Sequence, residues 1–476
     1  MSGGKAGPRP RALLVSVRTP EISDLEGDES LAELERLVTT LGFDVVERQS
    51  QRRASASGAL VVGEGKLKEL AALTGGPGFV EKGPPIKKKT KAGAHAVSEE
   101  EETEEADAKD PDDVADLGLY PENDEAVAAP REKIADVVVF DGDLSPSQLR
   151  NLEKAFGVEV LDRPAVIIEI FSRHARTRAA RLQVEIARLN YLAPRLRETG
   201  GGGERQAGRG SGESELELDR RHVRDRLTEL RAELELVQTE AAQRRAARSE
   251  QPRVALVGYT NAGKSSTMRA LTGSQVLVED KLFATLDTTV RALHPETQPR
   301  ILVSDTVGFI KKLPHDLVAS FRSTLDEALH ATLLLYVVDA ADPTFRSQLE
   351  VTRQVLGEVG ATEIPSLIVL NKADRLEEFS MRSLRREFPD AILLSTRRPE
   401  DVKALRERIL SFFEREMVEE DLFVPYDAKG VIGEIRSRMR VVAEDYDEAG
   451  AKLRVRTSPV ELERLRKKFG PLAAPQ

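Results

Sequence analysis

Eight residues, Gly258 to Ser265, have the types and spacing of a phosphate-binding loop. They read Gly-Tyr-Thr-Asn-Ala-Gly-Lys-Ser. The two glycines let the backbone curl so that successive N–H groups point at phosphate oxygens. In that arrangement the Lys264 ammonium reaches the β- and γ-phosphates, and the Ser265 hydroxyl ligates Mg²⁺. We therefore expect nucleoside triphosphate chemistry at this loop.

Such a loop works between a strand and a helix. An apolar run, Val254 to Val257, precedes Gly258, and residues 266–271 have the composition of a helix. The helix would add the positive end of its dipole to the phosphate site. The alternative is a glycine-rich turn that binds nothing, and the complete pattern in this context disfavours it.

Two later segments indicate that the nucleotide is GTP. Asn371-Lys-Ala-Asp374 ends another apolar run, 107 residues after Lys264. The Asp374 carboxylate would accept hydrogen bonds from guanine N1–H and N2–H₂, whereas adenine lacks this pair of donors and would leave the carboxylate unpaired. Ser395-Thr-Arg397 follows the next apolar run, where we expect a backbone contact with guanine O6.

The segment Asp305-Thr-Val-Gly308 has the residues needed at the γ-phosphate. Asp305 would hold Mg²⁺ through water, and the Gly308 N–H would meet the γ-phosphate. Upstream of this segment, Thr285, Thr288 and Thr289 are each candidates to close on Mg²⁺ when GTP is bound.

Phe309 occupies the position at which many GTPases carry a glutamine that orients the attacking water. Phenylalanine can neither orient water nor share a proton. We therefore expect slow intrinsic hydrolysis until a partner, or backbone and substrate groups, supply the missing function. The alternative is that Phe309 packs inward and that hydrolysis needs no side chain there.

Ahead of the loop the chain alternates between strand and helix. Apolar runs predict strands at 11–17, 43–46, 59–62, 135–140 and 158–161, and other patterns predict helices at 31–38, 67–73 and 145–156. Together they predict an N-terminal α/β domain over residues 1–165. Gly63 and Gly65 could hold an anion, although a Gly-x-Gly turn is more often only a tight turn.

Residues 75–132 interrupt this domain. Between Glu99 and Glu125 the chain has fourteen acidic residues and one base, Lys109. Because so polar a segment cannot bury enough apolar surface to become ordered, we predict a disordered acidic insertion. Residues 99–125 carry a net charge of −13 against −10 for the whole chain, so the rest of the chain is slightly basic at +3.

A helical linker is predicted over residues 166–250. Apolar residues from Ala175 to Leu196 and from Val223 to Val237 step by three and four, which is typical of coiled-coil seams. The glycine-rich residues 200–212 between them cannot continue a helix, so we predict an antiparallel helical hairpin with a Gly/Arg-rich tip. Its arginines are either a solvated face or a surface for RNA phosphates. They are Arg173, Arg176, Arg178, Arg181, Arg188, Arg195, Arg197, Arg205, Arg209, Arg220, Arg221 and Arg224.

The remaining chain completes a multidomain α/β fold. Residues 251–418 alternate strands and helices as in a doubly wound P-loop GTPase domain. Residues 419–476 predict a small α+β C-terminal domain with a helix at 431–439, a hairpin around 447–450 and a terminal helix from Pro459.

Composition sets outer bounds on these interpretations. A chain of 476 residues suggests about three domains. The absence of cysteine excludes disulfides, thiolate metal sites and cysteine nucleophiles. No apolar run reaches the length of a membrane span. We expect a cytoplasmic monomer, with partial membrane association left open.

The motifs together resemble those of the HflX family of ribosome-associated GTPases. The resemblance lies in Gly258 to Ser265, Phe283 to Asp287, Asp305 to Ile310 and Leu313 to Leu317, and also in Ser147 to Glu153, Gly212-Glu213 and Leu218 to Arg221. The chain departs from the family pattern at Thr288, where proline is usual, and at Ser395-Thr-Arg397, where Ser-Ala-Lys is usual. It also has Gly210-Ser-Gly-Glu213 in place of Gly-Pro-Gly-Glu, and the acidic insertion lies outside the pattern.

This resemblance implies that the N-terminal domain, linker and GTPase domain together bind the large ribosomal subunit and its RNA. Members of the family split or rescue stalled ribosomes under stress, and the linker loop reaches toward the peptidyl-transferase region. By its position in Phe-Ala-Thr-Leu-Asp, the magnesium threonine falls on Thr285.

The candidate site follows from the motifs and the resemblance. The catalytic candidates are Lys264, Thr285 and Gly308, and the Mg²⁺ ligands are Ser265 and Thr285. The nucleotide-binding candidates are Gly258, Tyr259, Thr260, Asn261, Ala262, Gly263, Lys264, Ser265, Ser266, Phe283, Ala284, Thr285, Leu286, Asp287, Asp305, Thr306, Val307, Gly308, Asn371, Lys372, Ala373, Asp374, Ser395, Thr396 and Arg397.

We therefore expect a GTP hydrolase that uses Mg²⁺ and binds the large ribosomal subunit more tightly in its GTP form. One alternative is an RNA-binding or RNA-remodelling protein with a second nucleotide site near Gly63–Lys66. A third interpretation is a signalling switch with a protein effector.

Overall fold

The computed structural model describes residues 9–80, 133–196, 215–246, 251–274, 283, 288–311, 327–415, 417–428 and 430–470. Most of the predicted insertion (81–132), the predicted hairpin tip (200–212) and residues 284–287 lie outside the described residues. The described chain forms three sheets and a pair of long helices.

The N-terminal sheet is parallel and has helices on both faces. Its strands are β1 (Arg11–Arg18), β2 (Asp44–Arg52), β3 (Val137–Phe140) and β4 (Glu159–Asp162), in the order β2-β1-β3-β4. Successive residues of β1 and β3 point to opposite faces. One face packs on α1 (Asp24–Thr40) and α4 (Arg163–His174), and the other on α2 (Glu64–Thr74) and α3 (Pro146–Phe156).

The prediction of a strand at Ala59–Val62 is wrong. These residues form turns, in which Val61 N–H bonds to Gly58 O and Val62 N–H to Leu60 O. Val61 and Val62 are nevertheless buried, because they pack into the core beneath α2 and α3. A four-residue apolar run indicates that a segment is buried, but it does not by itself indicate an extended backbone.

The predicted antiparallel helical hairpin is confirmed. Its arms are α5 (Arg178–Leu192), followed by a 3₁₀ turn at Ala193–Arg195, and α6 (Glu215–Ala246). Ion pairs of Arg178 with Glu233 at 3.1 Å and of Arg226 with Glu185 at 2.9 Å set the antiparallel register. Leu182, Ile186, Leu227 and Leu230 form the buried seam.

The first arm starts later than the apolar pattern suggests. Ala175, the first residue of the predicted seam, ends α4, and α5 begins only after Thr177. The Thr177 hydroxyl caps α5 by accepting the Ala180 N–H at 3.2 Å. Two separate helices therefore share one stretch of apolar periodicity.

The second sheet has six strands and carries the phosphate-loop motif. Its strands are β5 (Arg253–Val257), β6 (Thr289–Ala292), β7 (Leu302–Asp305), β8 (Leu333–Asp339), β9 (Ser366–Asn371) and β10 (Ile392–Leu393), in the order β10-β9-β8-β5-β7-β6. Only β6, which the pattern did not predict, runs antiparallel to its neighbour among these strands. The doubly wound prediction is confirmed: α7 (Lys264–Thr272) and α10 (Pro399–Glu414) cover one face, and α8 (Phe345–Glu358) and α9 (Glu378–Glu387) cover the other.

The third sheet is antiparallel, in the order β11-β13-β12, with strands β11 (Val418–Pro425), β12 (Arg440–Tyr446) and β13 (Gly450–Thr457). Helices α11 (Val431–Arg438) and α12 (Pro459–Phe469) pack against it. The predicted helix, hairpin and terminal helix of the C-terminal region are all present, and β11 was not predicted.

The N-terminal sheet and the six-stranded sheet share one hydrophobic core. The α1 and α4 face of the first contacts the loops at the carboxyl edge of the second, including Phe309 and Ile310. Phe171 of α4 meets Phe283 edge-on, with ring centroids 4.6 Å apart and planes at 76°. Within the described part of the chain, every helix is too short or too polar to cross a bilayer.

Gly76 and Gly65 make a matched pair of tests of the N-terminal packing. A Cβ at Gly76 would lie 2.2 Å from the carbonyl carbon of Phe156, whereas a Cβ at Gly65 in α2 would meet no atom within 4 Å. Gly76→Ala should lower the free energy of unfolding by about 1–3 kcal/mol because backbone must move. Gly65→Ala should raise it by about 0.5–1 kcal/mol. Chemical denaturation of both variants measures the difference, and equal effects would contradict the close approach at Gly76.

Candidate functional site

The phosphate loop runs from β5 into α7 in a shape that depends on its glycines. Gly258 has φ +150°, and a Cβ there would lie 2.1 Å from the Val337 carbonyl oxygen. Gly263 has φ +95°, and a Cβ there would lie 2.2 Å from Asn371 Nδ2. A side chain at Gly258 would clash with the backbone of β8, and one at Gly263 would displace the Asn371 amide. Since both φ values also favour glycine, the loop keeps this shape only with glycine at both positions.

Lys264 lies inside this loop. Its ammonium donates to the carbonyl oxygens of Gly258 at 3.0 Å and Tyr259 at 2.8 Å. Burial lowers the pKa of Lys264 to about 8, against the opposing effect of the Asp305 carboxylate. The charged form is therefore poorly compensated until an anion comes near, which suits a group that is expected to bind phosphate.

Ser265 and Asp305 meet at the predicted magnesium corner. The Ser265 hydroxyl donates to Asp305 Oδ2 at 2.7 Å, and Asp305 is fully buried at the end of β7. A hydroxyl and a carboxylate are the hard oxygen ligands that Mg²⁺ prefers, so these residues fit the ion. Among the described residues there is no cluster of three His, Asp or Glu that could hold a metal. Because Mg²⁺ takes about six oxygen ligands, an ion beside these two residues would use phosphate and water oxygens as well.

Gly308 lies directly against Lys264. A Cβ at Gly308 would be 2.9 Å from Lys264 Nζ and 2.8 Å from Thr260 Cα. The next residue pairs with the loop, because Thr260 N–H donates to Phe309 O at 2.8 Å and Phe309 N–H donates to Gly258 O at 3.1 Å. The Phe309 ring is 3 % exposed and packs in the shared core. The position after Gly308 therefore offers no side chain to the phosphate site.

The segment predicted to read the base also supports the phosphate loop. Asn371 Nδ2 donates to Ala262 O at 2.9 Å. Lys372, at φ +59°, donates to Asn261 O at 2.8 Å and to Asp339 Oδ2 at 2.6 Å. Phosphate loop and base segment are therefore held as one unit.

Asp374 is ready to accept hydrogen bonds from a base. The Ser395 hydroxyl donates to its Oδ1 at 2.7 Å and Arg397 lies 3.5 Å from its Oδ2. The hydrogen bond from Ser395, together with the charge of Arg397, lowers the pKa of Asp374, which keeps it ionised. Ser395 N–H is taken by Asp401 at 2.9 Å and Arg397 N–H by the Ser395 hydroxyl at 3.3 Å. The expected contact with guanine O6 is therefore directed to Thr396.

The structure brings most of the candidate residues to one edge of the sheet, with two qualifications. Ala284, Thr285, Leu286 and Asp287 lie outside the described residues. The side chains of Tyr259 and Phe283 turn away from the loop into the core shared with the N-terminal domain. For these two residues only the backbone remains a candidate to contact nucleotide.

Sequence reasoning missed three carboxylates around the site. Asp339 holds Lys372, Asp401 holds Ser395 N–H, and Glu33 of α1 accepts a hydrogen bond from the Tyr259 hydroxyl. Asp339 ends the apolar run of β8, a position at the carboxyl edge of the sheet that could have drawn attention. Nothing in the sequence pairs Glu33 with a residue 226 positions away.

We predict that Asp374→Asn lowers GTP affinity by about 100-fold or more, because the amide cannot accept both guanine donors. Asp401→Asn is the matched control, since its remaining oxygen can still accept Ser395 N–H and affinity should change little. Equilibrium titration with a fluorescent GTP measures both. Equal losses would remove Asp374 from guanine recognition.

We predict that Lys264 takes up a proton when the nucleotide binds. Phosphate favours the ammonium, so its pKa rises from about 8 when GTP binds. Above that pH, binding should take up as much as one proton and weaken as pH rises. Calorimetry at about pH 9 in two buffers of different ionisation enthalpy counts this proton. Guanosine, which lacks phosphate, should show none, and zero uptake with GTP would contradict the assignment.

Three family models match successive parts of the chain. The one described as GTP-binding GTPase N-terminal matches residues 28–77 and 94–172. GTP-binding GTPase Middle Region matches residues 174–248. The model described as 50S ribosome-binding GTPase matches residues 253–372.

Curated relatives align over almost the full length. GTPase HflX of Gluconacetobacter diazotrophicus is 59 % identical over 461 residues, covering 97 % of this chain and 98 % of the relative. GTPase HflX of Caldanaerobacter subterraneus subsp. tengcongensis is 35 % identical over 466 residues, covering 96 % and 93 %. A crystal structure of a GTP-binding protein from Sulfolobus solfataricus with GDP is 22 % identical, with a TM-score of 0.40 and coverage of 84 % and 98 %. From the site and the two curated relatives we conclude that this chain belongs to the GTPase HflX family and is a GTP hydrolase.

Proposed function

We propose that this GTPase binds the large ribosomal subunit and splits or rescues stalled ribosomes in the cytoplasm, with GTP favouring the bound state. The observation that carries the proposal is a nucleotide site in which the side chain after Gly308 is buried and offers nothing to orient water, joined to an arginine-bearing helical hairpin. The description of the matching family model as a 50S ribosome-binding GTPase supports the same partner.

Within the site, each residue has a proposed task. Lys264 and the Gly308 N–H bind the γ-phosphate, Asp374 and Thr396 bind guanine, and Ser265 and Thr285 hold Mg²⁺. When bound, the ion neutralises charge that develops on the phosphates. Because the Phe309 ring is buried, it does not orient water, and backbone, substrate or ribosomal groups are proposed to do so. We therefore expect slow hydrolysis until the ribosome is bound.

Only some of the described arginines of the helical hairpin are available to contact RNA. Arg195 lies at the end of the first helix, directly before residues 197–214, where it donates to Leu144 O at 2.8 Å and Asp162 at 3.1 Å and stacks on Tyr191 at 3.6 Å. Arg178 is paired with Glu233 across the arm. Arg188, Arg220 and Arg224 are exposed toward the open end. The RNA contact is therefore proposed for these three exposed arginines, on the part of the hairpin nearest residues 197–214.

The alternative of a second nucleotide site near Gly63–Lys66 gains no support. Gly63 N–H donates to Gln51 Oε1 at 2.9 Å, so the turn already has an acceptor. Lys66 bonds to Gln49 and lies 3.0 Å from Glu69. Both groups that would hold an anion are thus engaged within the protein.

Co-sedimentation with purified large subunits tests the proposal. Binding should be stronger with a non-hydrolysable GTP analogue than with GDP, and the subunits should accelerate hydrolysis. Arg220→Glu should weaken binding about tenfold or more through lost phosphate contact, whereas Arg231→Glu, farther down the same helix, should change it little. Equal binding with both nucleotides would remove the ribosome from the cycle. Unchanged binding of Arg220→Glu would favour a protein effector.

A further inference from the structure

The Tyr259 hydroxyl joins three distant segments of the chain. Tyr259 is the second residue of the phosphate loop, and its side chain is 5 % exposed. The hydroxyl donates to Glu33 Oε1 of α1 and accepts the backbone N–H of Lys311 at 2.6 Å. Phosphate loop, N-terminal domain and the segment after Gly308 thus meet at one oxygen atom.

Buried charge holds Glu33 in place. Its other oxygen pairs with Arg163, which has no exposed surface and also donates to Asp141 Oδ1 at 2.7 Å and Ser30 Oγ at 3.4 Å. A buried carboxylate with this many partners cannot rotate freely. Burial and the Glu33 charge raise the pKa of Tyr259, so its hydroxyl remains a donor to Glu33.

The segment held in this way carries Gly308. Phe309 is paired with the phosphate loop on both sides of its peptide, and Ile310 is 1 % exposed in the shared core. Lys311 then bonds through its N–H to Tyr259, and its ammonium lies 3.9 Å from Glu29. The distance from Gly308 N–H to Lys264 is therefore constrained at both ends of a four-residue stretch.

We propose that Glu33 and Tyr259 are positioning residues for GTP hydrolysis: they hold the Gly308–Lys311 segment against the phosphate loop from the N-terminal domain. The inference rests on the proposed contact of Gly308 with the γ-phosphate and is independent of any ribosomal role. The N-terminal domain is then part of the hydrolytic apparatus, and its seating on the loop depends on which nucleotide the loop holds.

The test is single-turnover GTP hydrolysis by the full chain without ribosomes. Tyr259→Phe removes one hydroxyl and should slow hydrolysis about 10- to 100-fold, since positioning at a phosphate carries effects of this order. GDP affinity should stay within about twofold, while affinity for a non-hydrolysable GTP analogue should fall. Glu33→Gln should slow hydrolysis in the same direction. The double variant should be no slower than Tyr259→Phe alone, because the two residues act as one unit.

Tyr191→Phe is the matched control. It also removes a partly buried hydroxyl bonded to an aspartate, Asp162 at 2.8 Å, and within the described part of the chain that hydroxyl is not bonded to the Gly308–Lys311 segment. Its hydrolysis rate should be unchanged, whatever its effect on melting temperature. A Tyr259→Phe variant with a lowered melting temperature but a normal rate, or one that hydrolyses GTP faster, would overturn the proposal. Either result would leave the ribosome-binding proposal standing, because that proposal is tested by sedimentation.

Discussion

The guanidinium of Arg163 is the charge around which the N-terminal sheet meets the GTPase domain. It has no exposed surface, and it is tolerated only because Glu33 and Asp141 both pair with it. Although burial opposes its ionisation, these two carboxylates raise the pKa of Arg163. Removing one partner of such a group is far more costly than never burying it, so the residues around it are constrained to one arrangement.

Asp162 and Arg163 are adjacent in the chain, and their side chains contact different parts of the structure. Asp162 caps α4 at Ala165, and it accepts hydrogen bonds from the Tyr191 hydroxyl and from Arg195 at the C-terminal end of the first hairpin helix. Arg163 faces the phosphate loop through Glu33. The two adjacent residues at the end of β4 therefore connect the helical hairpin with the nucleotide site.

The N-terminal sheet has the topology in which ligands usually bind, at the carboxyl ends of β1 and β3 where the strand order reverses. In this structure Ile310 and Lys311 of the GTPase domain cover that crevice, leaving a cavity of about 370 Å³ beside Asp141. The crevice thus receives a segment of the same chain that moves with nucleotide in GTPases. This arrangement explains why so apolar a residue as Phe309 can follow Gly308: the core of a second domain is there to bury it.

Local sequence patterns predict the phosphate loop, the Asn371–Asp374 segment, the doubly wound sheet and the helical hairpin. Each depends on local pattern: glycines at positions that tolerate no Cβ, a carboxylate at the end of an apolar run, or a seam with helical period. Where an apolar run reflects only burial, the predicted strand was wrong, as at Val61 and Val62, which are buried in a turn. Long-range packing, in contrast, turns the side chains of Tyr259 and Phe283 away from the loop and points Phe309 inward. It also brings Glu33 into hydrogen-bonding contact with Tyr259 of the phosphate loop. Those contacts join residues far apart in the chain through buried charge and close packing, and no local periodicity encodes which distant carboxylate a buried hydroxyl will find.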